Sequence, residues 1–121
     1  MQDVVVLCRC FQAAGFRVHL ETNGTYPIPS GVFDYVTVSP KIQSDVHHVH
    51  APFLEENEAV ADEFKYVISR AEDLQLVRWG RQVFLQPNCE IPAARRLCVN
   101  AVMDHPGWRL SLQIHKHLGL P

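Results

Sequence analysis

The chain has little of what marks several common activities. Its 121 residues include only four cysteines, Cys8, Cys10, Cys89 and Cys98, and no two stand at C-x-x-C spacing. That removes the usual zinc and dithiol motifs, and it leaves thiols that read as structural or incidental in a reducing compartment. Neither G-x-G-x-x-G nor G-x-x-x-x-G-K occurs among the six glycines, so no loop is built to cradle a nucleotide phosphate. Ser39 has no nucleophile elbow and no adjacent His–Asp arrangement, which speaks against serine hydrolase chemistry. The formal net charge of −2 offers no footprint for a nucleic acid backbone or an anionic membrane. No apolar run approaches the length of a membrane span, and no signal peptide is read at Met1, so the expected address is the cytoplasm. Internal repeats and low-complexity tracts are absent.

What is present reads as one α/β domain. Apolar residues make up 47% of the chain and charged residues 20%, ordinary values for a soluble protein. Val4, Leu7, Cys8 and Phe11 recur at helical spacing with Gly15 as a stop, and Cys8 falls on the buried face. Phe16, Val18 and Leu20 alternate as a first strand running into the Asn23-Gly24 turn. Pro27 and Pro29 force a loop, and a second strand over 35–39 is broken by Pro40. A short helical stretch over 55–61 leads to a third strand over 64–68. Ser69 and Glu72 have capping-box spacing for a helix running to Trp79 and ended by Gly80. A fourth strand covers 83–85, a helix starts at Pro92 and stops before Pro106-Gly107, and a fifth strand covers 109–115. Strands alternating with helices predict a mostly parallel sheet.

The strands alternate where buried parallel strands would read as unbroken apolar runs. Leu110, Leu112 and Ile114 oppose Ser111, Gln113 and His115; Val36 and Val38 oppose Thr37 and Ser39; Phe64, Tyr66 and Ile68 oppose Glu63 and Lys65. Two explanations stay open, a polar ligand-filled lumen inside a curved sheet or a sheet with one solvated face.

Candidate chemistry collects at strand ends, where parallel α/β folds place their ligands. Glu21 and His115 form a candidate acid/base pair, although from the residues alone a turn cap and a surface histidine are the favoured description. Lys41 and Lys65 would anchor an anionic group or simply snorkel from a sheet edge. His47, His48 and His50 have enough nitrogen donors for a metal, but the segment lacks the periodicity of a fixed scaffold, and no metal site is expected there.

Five motifs in register carry a resemblance over nearly the whole chain. They are His19-Leu20-Glu21-Thr22-Asn23-Gly24-Thr25, Val36-Thr37-Val38-Ser39-Pro40-Lys41, Asp62-Glu63-Phe64-Lys65-Tyr66-Val67-Ile68, Phe84-Leu85-Gln86-Pro87 and Trp108 through Lys116 with Gly119 beyond. In this order they resemble the C-terminal portion of the 7-carboxy-7-deazaguanine synthases, radical S-adenosylmethionine lyases of queuosine and 7-deazapurine biosynthesis. The resemblance implies a mostly parallel curved sheet, the C-terminal half of a partial TIM-like barrel, in a homodimer. It implies conversion of 6-carboxy-5,6,7,8-tetrahydropterin to 7-carboxy-7-deazaguanine with loss of ammonia. A [4Fe-4S] cluster cleaves S-adenosylmethionine to the radical that abstracts a substrate hydrogen, and Mg²⁺ assists. By resemblance Ser39, Pro40, Lys41, Gln86, Pro87, Asn88 and Cys89 contact S-adenosylmethionine, while Glu21, Gln113, His115 and Pro121 face the pterin, with Glu21 and His115 in catalytic roles.

The departures are as informative. The family's three-cysteine cluster loop and its Gly-Gly-Glu motif have no counterpart here, and the Mg²⁺ ligand is missing with them. The chain is therefore expected to begin just past that motif, as one partial domain over 1–121. Alone it is expected to assemble no cluster and turn nothing over. Asn88-Cys89 stands where the family often carries an acidic-ended pair. The rival expectations are a non-catalytic nucleoside-binding module and one half of a split enzyme.

Overall fold

The computed structural model describes residues 2–41, 53–78 and 82–120. Helix α1 (Gln2–Ala13) ends in a Schellman motif: the Phe16 N–H reaches the Phe11 carbonyl, the Gly15 N–H reaches Gln12, and Gly15 supplies the positive φ of 85°. The Phe16 ring meets Phe11 edge-to-face at 6.1 Å. Phe16 thus closes the helix, and the first strand β1 (His19–Thr22) starts later than the alternation predicts. Immediately before it, the Asp34 carboxylate accepts from the Val18 N–H at 2.7 Å and from Gln12 Nε2 at 3.0 Å, which holds its pKa below the usual carboxylate value.

Strands β2 (Tyr35–Val38), β3 (Glu63–Ile68), β4 (Val83–Pro87) and β5 (Trp108–Leu110) follow, and the sheet runs β1-β2-β3-β4-β5 with every neighbour parallel. Sequential parallel order is that of a barrel arc. Helix α2 (Pro92–Asp104) carries the crossover between β4 and β5. Ala94, Cys98 and Ala101 form its buried stripe, and their small side chains let the helix lie close on β3, β4 and β5, over a core that includes Phe64, Tyr66, Ile68, Val83 and Leu85. Burial there pushes the Cys98 thiol up to about 11.

Two further elements differ from expectation. The helix predicted after Ser69 is a 3₁₀ segment, Ala71–Leu76, and the capping carboxylate is Asp73. That buried side chain takes the Ser69 and Arg70 N–H groups at 2.8 and 3.1 Å, whereas Glu72 is exposed. The fifth strand is three residues long, and the chain turns at Ile114–His117 into a single helical turn, α3. The reason lies in β4. The Ser111 N–H still reaches the Leu85 carbonyl at 2.9 Å, but the next rung of a parallel ladder needs an N–H from Pro87, which has none.

Register fixes the two faces of the sheet. Leu20, Val36, Val38, Phe64, Tyr66, Ile68, Val83 and Leu85 share the face under α2; His19, Glu21, Tyr35, Thr37, Glu63, Lys65, Phe84, Gln86 and Arg109 share the other. The outer helix α1 buries Cys8, while Val4, Leu7 and Phe11 on it remain about half exposed. Among the described residues no helix is long and apolar enough to cross a membrane.

Candidate functional site

The polar face is organised from its floor. The Thr37 hydroxyl, buried on β2, donates to Glu63 Oε1 at 2.8 Å and lies 2.7 Å from His19 Nε2. Because Thr37 spends its proton on Glu63, His19 must donate through Nε2, which fixes the tautomer when the ring is neutral. The other oxygen of Glu63 accepts from the Tyr35 hydroxyl at 2.8 Å, and the Tyr35 ring stands edge-on to His19 at 5.1 Å. Burial first, and the Glu63 carboxylate second, push Tyr35 up to about 12.

The sign of that shift gives a prediction. As pH rises past the ordinary tyrosine value of about 10, the unfolded chain loses this proton while the folded chain keeps it. The contribution is therefore complete below about pH 10 and is lost on the way to about 12. Urea midpoints measured from pH 9 to 12 should fall less steeply for Tyr35→Phe than for the parent; parallel profiles would refute it.

Above this floor Lys65 on β3 reaches diagonally over β2 to form an ion pair with Glu21 Oε1 on β1. Burial pulls the Lys65 ammonium below the ordinary lysine range. Two clefts open over the carboxyl ends of the strands. One, of about 300 Å³, is lined by Glu21, Thr22, Asn23, Ser39, Lys41, Lys65, Val67, Gln86 and Gln113. Its neighbour, of about 380 Å³, shares Lys41, Val67, Gln86 and Gln113 and adds Pro40, Asn88, Cys89, Glu90 and Lys116. Pro87 lines a third cavity of about 210 Å³ with Asn88, Cys89 and Gln113. Among the described residues the Ser39 hydroxyl is buried with no hydrogen-bond partner, a polar group whose desolvation none of them offsets.

The structure thus gathers Glu21, Ser39, Pro40, Lys41, Gln86, Asn88, Cys89 and Gln113 along one end of the sheet. His115 is exposed on α3 and lines none of these clefts. Pro121, His47, His48 and His50 lie outside the described residues. Lys116 closes the last of the five motifs, but the sequence assigns it no role of its own. Its Nζ donates to Cys89 Sγ at 3.1 Å, a contact that raises its pKa, and only the turn after β5 brings the two together.

The donor set discriminates among the cofactors that the resemblance implies. A buried unpaired hydroxyl, an ammonium and an amide on adjoining clefts fit the polar and charged groups of S-adenosylmethionine. They do not fit an iron–sulfur cluster. Among the described residues no group of three or more His, Cys, Asp and Glu side chains is placed to hold a metal, and Cys8 and Cys98 are buried in separate elements.

No protein-family model matches the chain. Curated relatives do. The chain is 35% identical over 99% of its length to the 7-carboxy-7-deazaguanine synthase of Synechocystis, 37% over 95% to that of Bordetella pertussis, and 38% over 90% to that of Caulobacter vibrioides. It spans about half the length of these relatives, 57%, 52% and 49% respectively. Among solved structures, QueE from Escherichia coli superposes with a TM-score of 0.73 at 28% identity, covering 88% of this chain and 49% of that one. Sequence and fold agree that the chain is similar to the 7-carboxy-7-deazaguanine synthases over about half of their length.

Proposed function

We propose that this chain supplies the nucleoside-binding and substrate-facing half of a 7-carboxy-7-deazaguanine synthase. In that role it would act on small molecules in the cytoplasm, within a homodimer. S-adenosylmethionine, when bound, supplies the radical that starts the conversion of the carboxylated tetrahydropterin. Ser39, Lys41, Gln86, Asn88 and Cys89 hold it in this reading, and Glu21 and Gln113 bind and orient the pterin on the open face. His115 and Pro121 are assigned to the substrate by resemblance alone. The cluster and Mg²⁺ would come from a segment with other ligands. The half-exposed apolar side chains of α1 and the outer position of β1 in the sheet favour a complementary half over a free-standing binding module.

One observation carries this reading, the buried and unpartnered Ser39 hydroxyl beside Lys41 and Gln86 in a single cleft. Orphaned polar atoms in native folds call for an explanation, and an arriving ligand provides one. Equilibrium dialysis of the 121-residue chain against S-adenosylmethionine is expected to show binding. Lys41→Ala should weaken it roughly tenfold through loss of a charge-assisted contact to the ligand carboxylate. Ser39→Ala should weaken it too, while leaving the unliganded fold as stable or more stable by about 1 kcal/mol. Titrations indistinguishable among the three proteins would refute the reading.

A further inference from the structure

We propose that the Glu21–Lys65 pair reads the lactam edge of a bicyclic heterocycle, Lys65 donating to the ring carbonyl and Glu21 accepting from the adjacent ring N–H. This rests on the reading that a pterin occupies the open face, and it adds Lys65 to the residues that select the ligand.

The argument starts from strand spacing. Glu21 stands on β1 and Lys65 on β3, with β2 between them. Two strand intervals amount to about 10 Å, a gap that two long side chains close only over a short one. Glu21 is level with Thr37 and Glu63, and Lys65 lies two residues further along β3, so the pair crosses β2 diagonally; the Thr37 hydroxyl is already committed to His19 and Glu63 and does not compete for either partner. The pair therefore bridges above β2 and faces the 300 Å³ cleft.

Its unspent valences define the ligand. An ammonium carries three donors, and among the described residues Lys65 gives one, to Glu21 Oε1. The second carboxylate oxygen of Glu21 has no hydrogen-bond partner there, and the Glu21 side chain is 56% exposed against 20% for Lys65. The pair so presents a donor beside an acceptor, with its charges mutually cancelled. Lys41, on the wall of the same cleft, has no partner among the described residues and can meet an anionic group. A neutral donor–acceptor edge complements an uncharged group with the reverse order, carbonyl next to N–H. The amidine edge of a 4-amino ring has that order inverted and would set donor against donor and acceptor against acceptor. Sites built to hydrogen-bond one such pattern reject the other strongly, because buried polar groups are left unpaired.

The test compares pterin with 2,4-diaminopteridine by equilibrium dialysis against the full chain at neutral pH. The parent should prefer pterin by about tenfold or more. Lys65→Met should bring the preference within about twofold, and Lys65→Arg, which keeps the donors, should retain it. Far-UV circular dichroism establishes that each variant is folded. Equal binding of both ligands by the parent, or a preference that survives Lys65→Met, overturns the proposal. Lys41-dependent S-adenosylmethionine binding without pterin selectivity would sink this inference and leave the functional reading standing. Binding of neither S-adenosylmethionine nor pterin would overturn both.

Discussion

Replacing Asn57 with alanine should destabilise the chain by about 3 kcal/mol, because one buried amide serves three backbone groups. Asn57 is 1% exposed. Its Nδ2 donates to the Gly24 and Tyr26 carbonyls at 2.9 Å each, and its Oδ1 accepts from the Ile28 N–H at 2.9 Å. The loop leaving β1 has almost no backbone ladder of its own, so this side chain stands in for one. Gly24 keeps a second partner in the Leu54 N–H at 3.0 Å, which bounds the loss. At about 4 °C per kcal/mol for a chain of this size, the melting temperature should fall by roughly 12 °C. Asn57→Asp should be at least as damaging, since it keeps the acceptor for Ile28 and turns both donors into acceptors. Urea unfolding measures each; a loss below about 1 kcal/mol for the alanine variant would contradict the account. The same variants should weaken ligand binding, because the loop they loosen continues from Glu21.

Asn57 also shows where sequence reading ends. Nothing about an asparagine in Glu55-Glu56-Asn57-Glu58 separates it from its solvated neighbours, and its three partners lie 29 to 33 residues earlier. Long-range satisfaction of this kind has no period. Elements with a period were legible. The alternation of Phe64, Tyr66 and Ile68 against Glu63 and Lys65 matches the two faces of β3, and the small-residue stripe of α2 falls within the helix that starts at Pro92. Alternation misled in 109–115, where Leu110, Leu112 and Ile114 have strand spacing but only Trp108–Leu110 is strand. The deciding residue was a proline on the neighbouring strand. Ser69 and Glu72 failed likewise, because Asp73 one position on offered a better-placed carboxylate.

At the site, the ends of β2 and β4 could be placed from sequence, since Pro40 and Pro87 mark them in the text of the chain. The lateral partnerships could not. Parallel register across β2 sets Glu21 level with Glu63 and one pleat from Lys65 on the same face, within reach of a diagonal pair, and register is a property of three strands together. His115 illustrates the converse. Placed by alternation beside Gln113 on one strand face, it instead follows the turn of α3 outward, while its neighbour Lys116 lines the cleft.

The turn that follows Glu21 carries the last large effect. Gly24 has φ of 76°, a left-handed conformation that a side chain adopts only at a penalty of about 1 kcal/mol or more. A Cβ there would lie 2.6 Å from Phe53 Cδ2 and 3.0 Å from Val38 Cγ1. Neither neighbour yields easily. Val38 is fully buried, and the Phe53 ring packs edge-to-face on Phe64 at 5.7 Å within the core. Gly24→Ala should therefore combine backbone strain with overpacking, for a total of about 3 kcal/mol in urea unfolding. Gly31 supplies the control: it too has positive φ, 69°, but open space surrounds its Cβ position, so Gly31→Ala should show the strain alone, about 1 kcal/mol. Equal losses at the two positions would mean that packing against Phe53 and Val38 contributes nothing. A larger loss at Gly24, accompanied by weaker ligand binding, would tie the geometry at the end of β1 to the core beneath it. The reason is mechanical: the backbone that bends at Gly24 is held from one side by Asn57 and pressed from the other by Phe53, three residues beyond Glu21.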